Sequence, residues 1–169
     1  VKTIEQHAFR NNKNLFEVVS LVAGNNVDKL AEQIREFNPK HVYIKSLDNY
    51  NILRSMFKDI DIYYGEEGLK DISSLDDYDI GVSALVGIAG LEPTYNMIKN
   101  KKTILLANKE VLVVGGDFFV DSVKKFGAKL ITVDSELSAI MQCLNGEDNN
   151  KIDKVLLTAS GGPFFDKKI

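Results

Sequence analysis

A chain of 169 residues is long enough for one ordinary domain with its own core, and a second domain within it would be small or partial. Apolar residues make up 44% and charged residues 27%, the balance of an ordinary globular protein. A net charge of −3 and a pI near 5.4 argue against the basic stripe of a nucleic-acid-binding protein, but not against a local phosphate site built from backbone N–H groups.

The chain opens on Val1, Ile4 and Ala8 at helical spacing without a capping residue ahead of them, so the N-terminus reads as cut. Residues 16–23 (FEVVSLVA) read as a strand that ends at the turn Gly24-Asn25-Asn26. Leu30, Ile34 and Phe37 place a helix over 27–37. A strand follows at 41–45, a helix at 51–57 and a short strand at 60–64 that ends at Gly65. Residues 79–85 are a strand, 87–90 a glycine-bearing turn, and 91–99 a helix with Pro93 in its first turn, where proline is tolerated. The run 103–107 (TILLA) has the unbroken apolarity of a central parallel strand. A long helix over 110–126 is interrupted by Gly115-Gly116. A strand at 129–133, a helix at 135–144, a polar loop at 145–151 and a strand at 155–159 complete the pattern. Gly161-Gly162-Pro163 is followed by only a short tail, so the C-terminus reads as cut as well.

This alternation predicts an α/β fold with a parallel sheet and right-handed crossovers. No apolar run approaches the roughly 18 residues of a membrane span, and no signal peptide is visible. Cys143 is the single cysteine, which excludes an internal disulfide and points to a reducing compartment. Its apolar helical setting predicts a buried structural thiol. Lys101-Lys102 reads as a solvated basic pair, and His7 and His41 read as structural because neither has a metal-spaced partner.

Ligands of such folds bind beyond the carboxyl ends of the strands, so those ends hold the candidate chemistry. Gly24-Asn25-Asn26 offers neutral amides where many NAD enzymes place an acid for the ribose 2′-hydroxyl, which suits a 2′-phosphate; a plain turn accounts for it equally well. Gly87 and Gly90 either let a cofactor approach the backbone or serve helix–strand packing. Asn108-Lys109-Glu110 puts a lysine at the mouth of the most apolar strand, where it can neutralise substrate charge or hold a carboxylate; a polar helix start with an ordinary exposed lysine is the alternative. Asp134 and Glu136, two apart, can converge on a hard divalent cation. Spacing alone favours helix capping instead, with Asp134 as N-cap and Glu136 a favourable acid at the helix start. Ser160-Gly161-Gly162 is either a backbone cradle for phosphate or an ordinary loop.

Taken in order, VSLVAGNN (19–26), LVGIAGLEPT (85–94), TILLANKEVLV (103–113), ITVDSELSAIMQ (131–142) and VLLTASGGPF (155–164) resemble the 1-deoxy-D-xylulose 5-phosphate reductoisomerases. The resemblance covers essentially the whole chain, and the set LANKE, VDSE, SGGPF is highly specific. It implies a Rossmann-like doubly wound NADPH-binding domain over 1–133, lacking its first strand and glycine-rich loop, and a truncated catalytic, metal-binding domain from 134 to 169. It implies conversion of 1-deoxy-D-xylulose 5-phosphate to 2-C-methyl-D-erythritol 4-phosphate, in non-mevalonate isoprenoid synthesis. NADPH and a divalent cation (Mg2+, Mn2+ or Co2+) are the cofactors it implies.

By motif, Asp134 and Glu136 resemble metal ligands, Ser135 a substrate contact between them, and Lys109 a lysine that touches substrate and the metal-binding carboxylate. Ser160 resembles a phosphate-binding serine. Gly24, Asn25, Asn26, Asn108 and Glu110 match positions beside the cofactor. The implied partner is a small sugar phosphate, with no nucleic acid or membrane, in a homodimer of the full-length protein, in a bacterial cytoplasm or a plastid stroma.

Three departures stand out. The family's opening G-x-T-G-S-I-G is absent, the region after SGGPF is absent, and Leu137 stands where a histidine is usual. The chain by itself is therefore expected to be inactive. A non-catalytic nucleotide-binding or interaction module of the same fold, and an ordinary NAD(P) dehydrogenase, are the alternatives.

Overall fold

The computed structural model describes residue 12 and residues 15–148 and 151–157. Strand β1 (Ser20–Ala23) leads into helix α1 (Val27–Phe37), followed by β2 (His41–Ile44), α2 (Leu47–Met56), β3 (Asp61–Tyr64) and α3 (Gly65–Ser73). The second half runs β4 (Ile80–Ser83), a 3-10 turn (Gly87–Gly90), α4 (Leu91–Lys99), β5 (Thr103–Leu106), α5 (Lys109–Phe126), β6 (Lys129–Thr132) and α6 (Ser135–Leu144).

The strands form two three-stranded sheets, β1-β2-β3 and β4-β5-β6, and every pairing is parallel. Consecutive parallel neighbours need crossovers, and the helices between the strands supply them. Each half winds outward in chain order, as the two wings of a doubly wound sheet do.

The helix boundaries follow local chemistry. Asn26 caps α1 by accepting from the Lys29 N–H at 3.0 Å, and Asn38 closes it in the left-handed conformation, its N–H donating to the Ile34 carbonyl at 2.9 Å. The apolar stripe between these caps, Leu30, Ala31 and Ile34, is buried against Val42, Ile44, Leu53 and Ile60. A second core holds Ile98, Ile104, Leu106, Val111 and Phe119. Each buried Val, Leu, Ile or Phe side chain among them stabilises the fold by roughly 1.5–3 kcal/mol through burial. Helix α5 is broken at Gly116 (φ 45°, ψ −132°), as the glycine pair predicts, while its neighbour Gly115 lies under the Phe119 ring.

Several expectations are corrected. Strands β1 and β4 are shorter than the predicted 16–23 and 79–85, and the helix expected to hold 51–57 runs from Leu47 to Met56, where Ser46 caps its start by accepting from the Asn49 N–H at 3.3 Å. Helix α3 is not anticipated by the sequence reading, because Gly65 and Gly68 resemble turn residues. Gly65 has φ +70° at the helix start, and a Cβ on Gly68 would sit 3.2 Å from Tyr63, so both glycines serve a tight entry onto β3. Cys143 is exposed rather than buried, because no residue of α6 is buried among the described residues. Lys102 is not a solvated loop lysine: its side chain is 13% exposed and reaches Asp76 at 2.7 Å over the Tyr78 ring. Residues 155–157 carry no strand; the rest of that expected strand, the first helical pattern with His7, and Ser160 with Gly161-Gly162 lie outside the described residues.

His41 starts β2 and lies between two carboxylates, with Nε2 3.2 Å from Asp77 and Nδ1 3.5 Å from Asp61. It joins the amino-terminal end of the first sheet to the segment that enters the second. Among the described residues no three His, Cys, Asp or Glu side chains gather as a metal site, and no helix is long and apolar enough to cross a membrane.

Candidate active site at the carboxyl ends of the second sheet

Register decides which loops meet. Ser83, Leu106 and Thr132 pair across β4, β5 and β6, so the three strands end in one row. Ala107 N–H donates to the Ser83 carbonyl and Val133 N–H to the Leu106 carbonyl, both at 2.9 Å, which carries the row one residue further. Asn108 and Asp134 therefore stand at equivalent positions just past neighbouring strands. Each caps the helix that follows. The Asn108 side chain accepts from the Val111 N–H at 3.3 Å, and Asp134 Oδ1 accepts from the Leu137 N–H at 2.8 Å.

The capping role of Asp134 foreseen in the sequence is thus present. It engages one carboxylate oxygen and, among the described residues, leaves the other for a second interaction. The cap uses the backbone of Leu137, so a leucine in place of a histidine leaves it intact. Ser138 Oγ donates to the Thr132 carbonyl at 2.8 Å and fixes the first turn of α6 to the end of β6. Ser135 is exposed and Asp134 and Glu136 are half-exposed. Lys109 and Glu110 are exposed at the start of α5. The arrangement puts a lysine, an amide and two carboxylates at the ends of two hydrogen-bonded strands.

Asn108 is the most enclosed of these residues, 3% exposed. Its Nδ2 donates to the carbonyls of Leu85 and Gly87, the latter at 2.9 Å. On the other side of that loop Thr94 Oγ1 donates to the Gly90 carbonyl at 2.6 Å and lies 2.7 Å from Ser83 Oγ. The loop after β4 is therefore held by buried side chains. The buried Ser83–Thr94 pair was not singled out from the sequence; its signal is a hydroxyl at an inward strand position facing one in the following helix.

The turn Gly24-Asn25-Asn26 ends β1 in the other sheet and is exposed. Asn26 is committed to capping α1, and the Asn25 carbonyl accepts from Asn49 Nδ2 at 3.1 Å. A Cβ on Gly24 would meet nothing within 4 Å, and its φ is not in the left-handed region, so internal packing does not require glycine there. A glycine without an internal reason suits close approach from outside.

Asp134 and Glu136 present hard oxygen donors. Two protein carboxylates fit a hard divalent cation that completes its shell with water and substrate oxygens. Parallel α/β sheets with polar, glycine-bearing loops at the strands' carboxyl ends define the class: a Rossmann-like dinucleotide-type fold.

A family model for 1-deoxy-D-xylulose 5-phosphate reductoisomerase matches residues 5–116, and one for the C-terminal domain of the same enzyme matches residues 130–169. The reductoisomerase of Francisella tularensis subsp. novicida is 50% identical over 159 residues, covering 92% of this chain and 41% of the relative. That of Thermoanaerobacter pseudethanolicus is 50% identical over 160 residues, covering 94% and 42%. A crystal structure of DOX-P reductoisomerase in complex with NADPH, fosmidomycin and magnesium matches at TM-score 0.81 and 40% identity, covering 98% of this chain and 42% of that one. The Zymomonas mobilis enzyme in complex with NADPH matches at TM-score 0.86 and 33% identity, covering 94% and 42%. The chain belongs to the 1-deoxy-D-xylulose 5-phosphate reductoisomerase family. It spans about two fifths of the length of these relatives.

Proposed function

We propose that the chain carries the NADPH-binding segment, residues 1–133, and the start of the metal-binding catalytic segment, residues 134–169, of a reductoisomerase acting on 1-deoxy-D-xylulose 5-phosphate. The observation that carries this reading is the shared row of strand ends, which sets Asn108-Lys109-Glu110 beside Asp134-Ser135-Glu136. When bound, NADPH supplies a hydride and the divalent cation supplies Lewis acidity toward the substrate's oxygens.

The chain's own residues bind and orient. Gly24, Asn25 and Asn26 receive the adenosine end of the cofactor, where neutral amides tolerate a 2′-phosphate. Asn108 and Glu110 border its path across the strand ends. The second oxygen of Asp134 and the carboxylate of Glu136 hold the cation. Ser135, between them, faces the substrate, and Ser160 contributes to its phosphate site. Lys109, a strongly hydrated point charge on a flexible stem, offsets substrate charge next to the carboxylates. The partner is a small sugar phosphate, and the full-length protein is a homodimer in a bacterial cytoplasm or plastid stroma.

Asp134→Asn tests the reading, because asparagine caps a helix as well as aspartate does. In a chain of the relatives' full length, the variant should melt as the parent does. Its magnesium-dependent NADPH oxidation with 1-deoxy-D-xylulose 5-phosphate should fall by roughly a thousandfold, the loss of several kcal/mol of charge stabilisation. Unchanged turnover would leave Asp134 a helix cap and nothing more. The 169-residue chain alone should give little or no single-turnover oxidation of NADPH; full activity from it would sink the idea that further segments complete the site.

A further inference from the structure

We propose that Lys45 is the cation that receives the 2′-phosphate of NADPH and sets the preference for NADPH over NADH. The proposal rests on the NADPH reading above and names the charge that the turn Gly24-Asn25-Asn26 lacks. A phosphate monoester carries close to two negative charges at neutral pH and offers three acceptor oxygens. The side chains of the turn are amides, and Asn26 Oδ1 is committed to the Lys29 N–H. The surroundings are acidic: Asp28, Asp48 and the pair Glu66-Glu67 stand in the first turns of α1, α2 and α3. Amides donate hydrogen bonds to a dianion but do not offset its charge, so tight binding in this setting needs a cation within reach of the turn.

The sheet places Lys45 there. Ala23, Ile44 and Tyr64 pair across β1, β2 and β3, and Lys45 is the next residue after β2. Its N–H donates to the Gly24 carbonyl at 3.0 Å, and its carbonyl accepts from the Gly65 N–H at 3.3 Å. The lysine thus stands between two glycines. A Cβ on either of them would meet nothing within 4 Å, so neither flank is walled. Asn49, in the first turn of the helix that follows β2, donates to the Asn25 carbonyl at 3.1 Å, which ties the turn to the segment that carries Lys45. Lys45 is exposed, and among the described residues no carboxylate pairs with its ammonium. Lys29, the cation nearest to the turn in sequence, is instead paired with Glu32 at 3.3 Å. A backbone fixed at both peptide groups and a free, flexible stem with three donors suit a phosphate that docks against the neighbouring turn.

The test titrates NADPH and NADH into a chain of the relatives' full length and follows reduced-nicotinamide fluorescence. Lys45→Met removes the charge and keeps both backbone bonds. It should weaken NADPH about tenfold to a hundredfold, the range of a lost charge-assisted hydrogen bond, and leave NADH within about twofold. Lys45→Arg should retain most of the NADPH affinity, because the charge remains. Lys29→Met should change it by less than about twofold, as loss of an exposed ion pair does. Adenosine 2′,5′-bisphosphate should displace NADPH from the parent and compete much more weakly in Lys45→Met, whereas AMP should compete equally in both.

Equal losses for NADPH and NADH would make Lys45 a structural residue of the strand ends and overturn the proposal. So would an unchanged NADPH affinity in Lys45→Met, or a loss in Lys29→Met as large as that in Lys45→Met. Should Lys45→Met fail to fold, Lys45→Gln decides by the same titrations and competitions. A parent chain that binds neither nucleotide overturns the NADPH reading and the proposal together, whereas a parent that binds NADPH and NADH equally well overturns only the proposal.

Discussion

Around β1–β3 the core is aliphatic, with Leu30, Ala31, Ile34, Val42, Ile44, Leu53 and Ile60 in contact. Around β4–β6 a smaller core of Ile98, Ile104, Leu106, Val111 and the aromatic Phe119 shares its half with Ser83, Thr94, Asn96, Asn108 and Ser122, all buried. The buried serines, threonine and asparagines among the described residues lie at or beyond Ser73, whereas the first half encloses the Tyr43 side chain and single polar atoms of Ser20 and His41. The second half also exposes more apolar surface near its site, including Val86, Ile88, Val113, Val114 and Phe118. Buried hydroxyls and amides add little net stability even when fully bonded, but they fix geometry, since any partner left unbonded is costly. The first half is therefore organised for cohesion and the second for placement of loops.

Core truncation should separate the halves most sharply. Ile44→Ala, at a side chain that is fully enclosed, should lower unfolding free energy by about 2–5 kcal/mol in denaturant titration. It should leave relative affinities at the second sheet's strand ends unchanged in the folded fraction; a change there would break the division of labour. Gly115→Ala acts inside the second half, where the new Cβ would fall 1.9 Å from Phe119 Cδ2. Overpacking should cost about 1–3 kcal/mol by the same measurement, and a neutral result would show that the Phe119 ring can swing away.

Asn26→Ala removes one cap from α1 and should cost about 1 kcal/mol. Tyr78, between the halves, gives the effect most specific to pH. Burial first, and then Asp76 and Asp77, push its phenol up to about 12 from the ordinary 10.0. Because the folded form holds its proton longer, the contribution is complete below pH 10, declines as pH rises and is gone above about 12. Phenolate absorbance of the parent minus that of Tyr78→Phe should show the late titration, and a difference curve centred on the ordinary value would refute it.

Periodicity sufficed for the parallel α/β alternation and for helices such as 91–99 and 135–144, because apolar spacing and helix starts agree there. It failed at α3, where Gly68 records how closely a helix approaches Tyr63, a contact local sequence does not display. It failed at Cys143 and Lys102 for a related reason: exposure depends on what other elements cover. For the site, residue types marked Asn108, Lys109, Asp134 and Glu136, but spacing could not separate capping from ligation. The geometry shows that for Asp134 one oxygen already caps, while the other has no hydrogen-bond partner among the described residues.

The common finishing line of Ser83, Leu106 and Thr132 works as a height gauge. One residue inserted in β5 alone would raise only the Asn108–Glu110 loop, by about 3.3 Å, and turn its following side chain to the other face. Substitutions beyond the line can retune the loops one at a time, while changes in strand length would throw one loop out of level with its neighbours. A family built on this sheet can vary its loops' chemistry freely, but it must keep count of its strands.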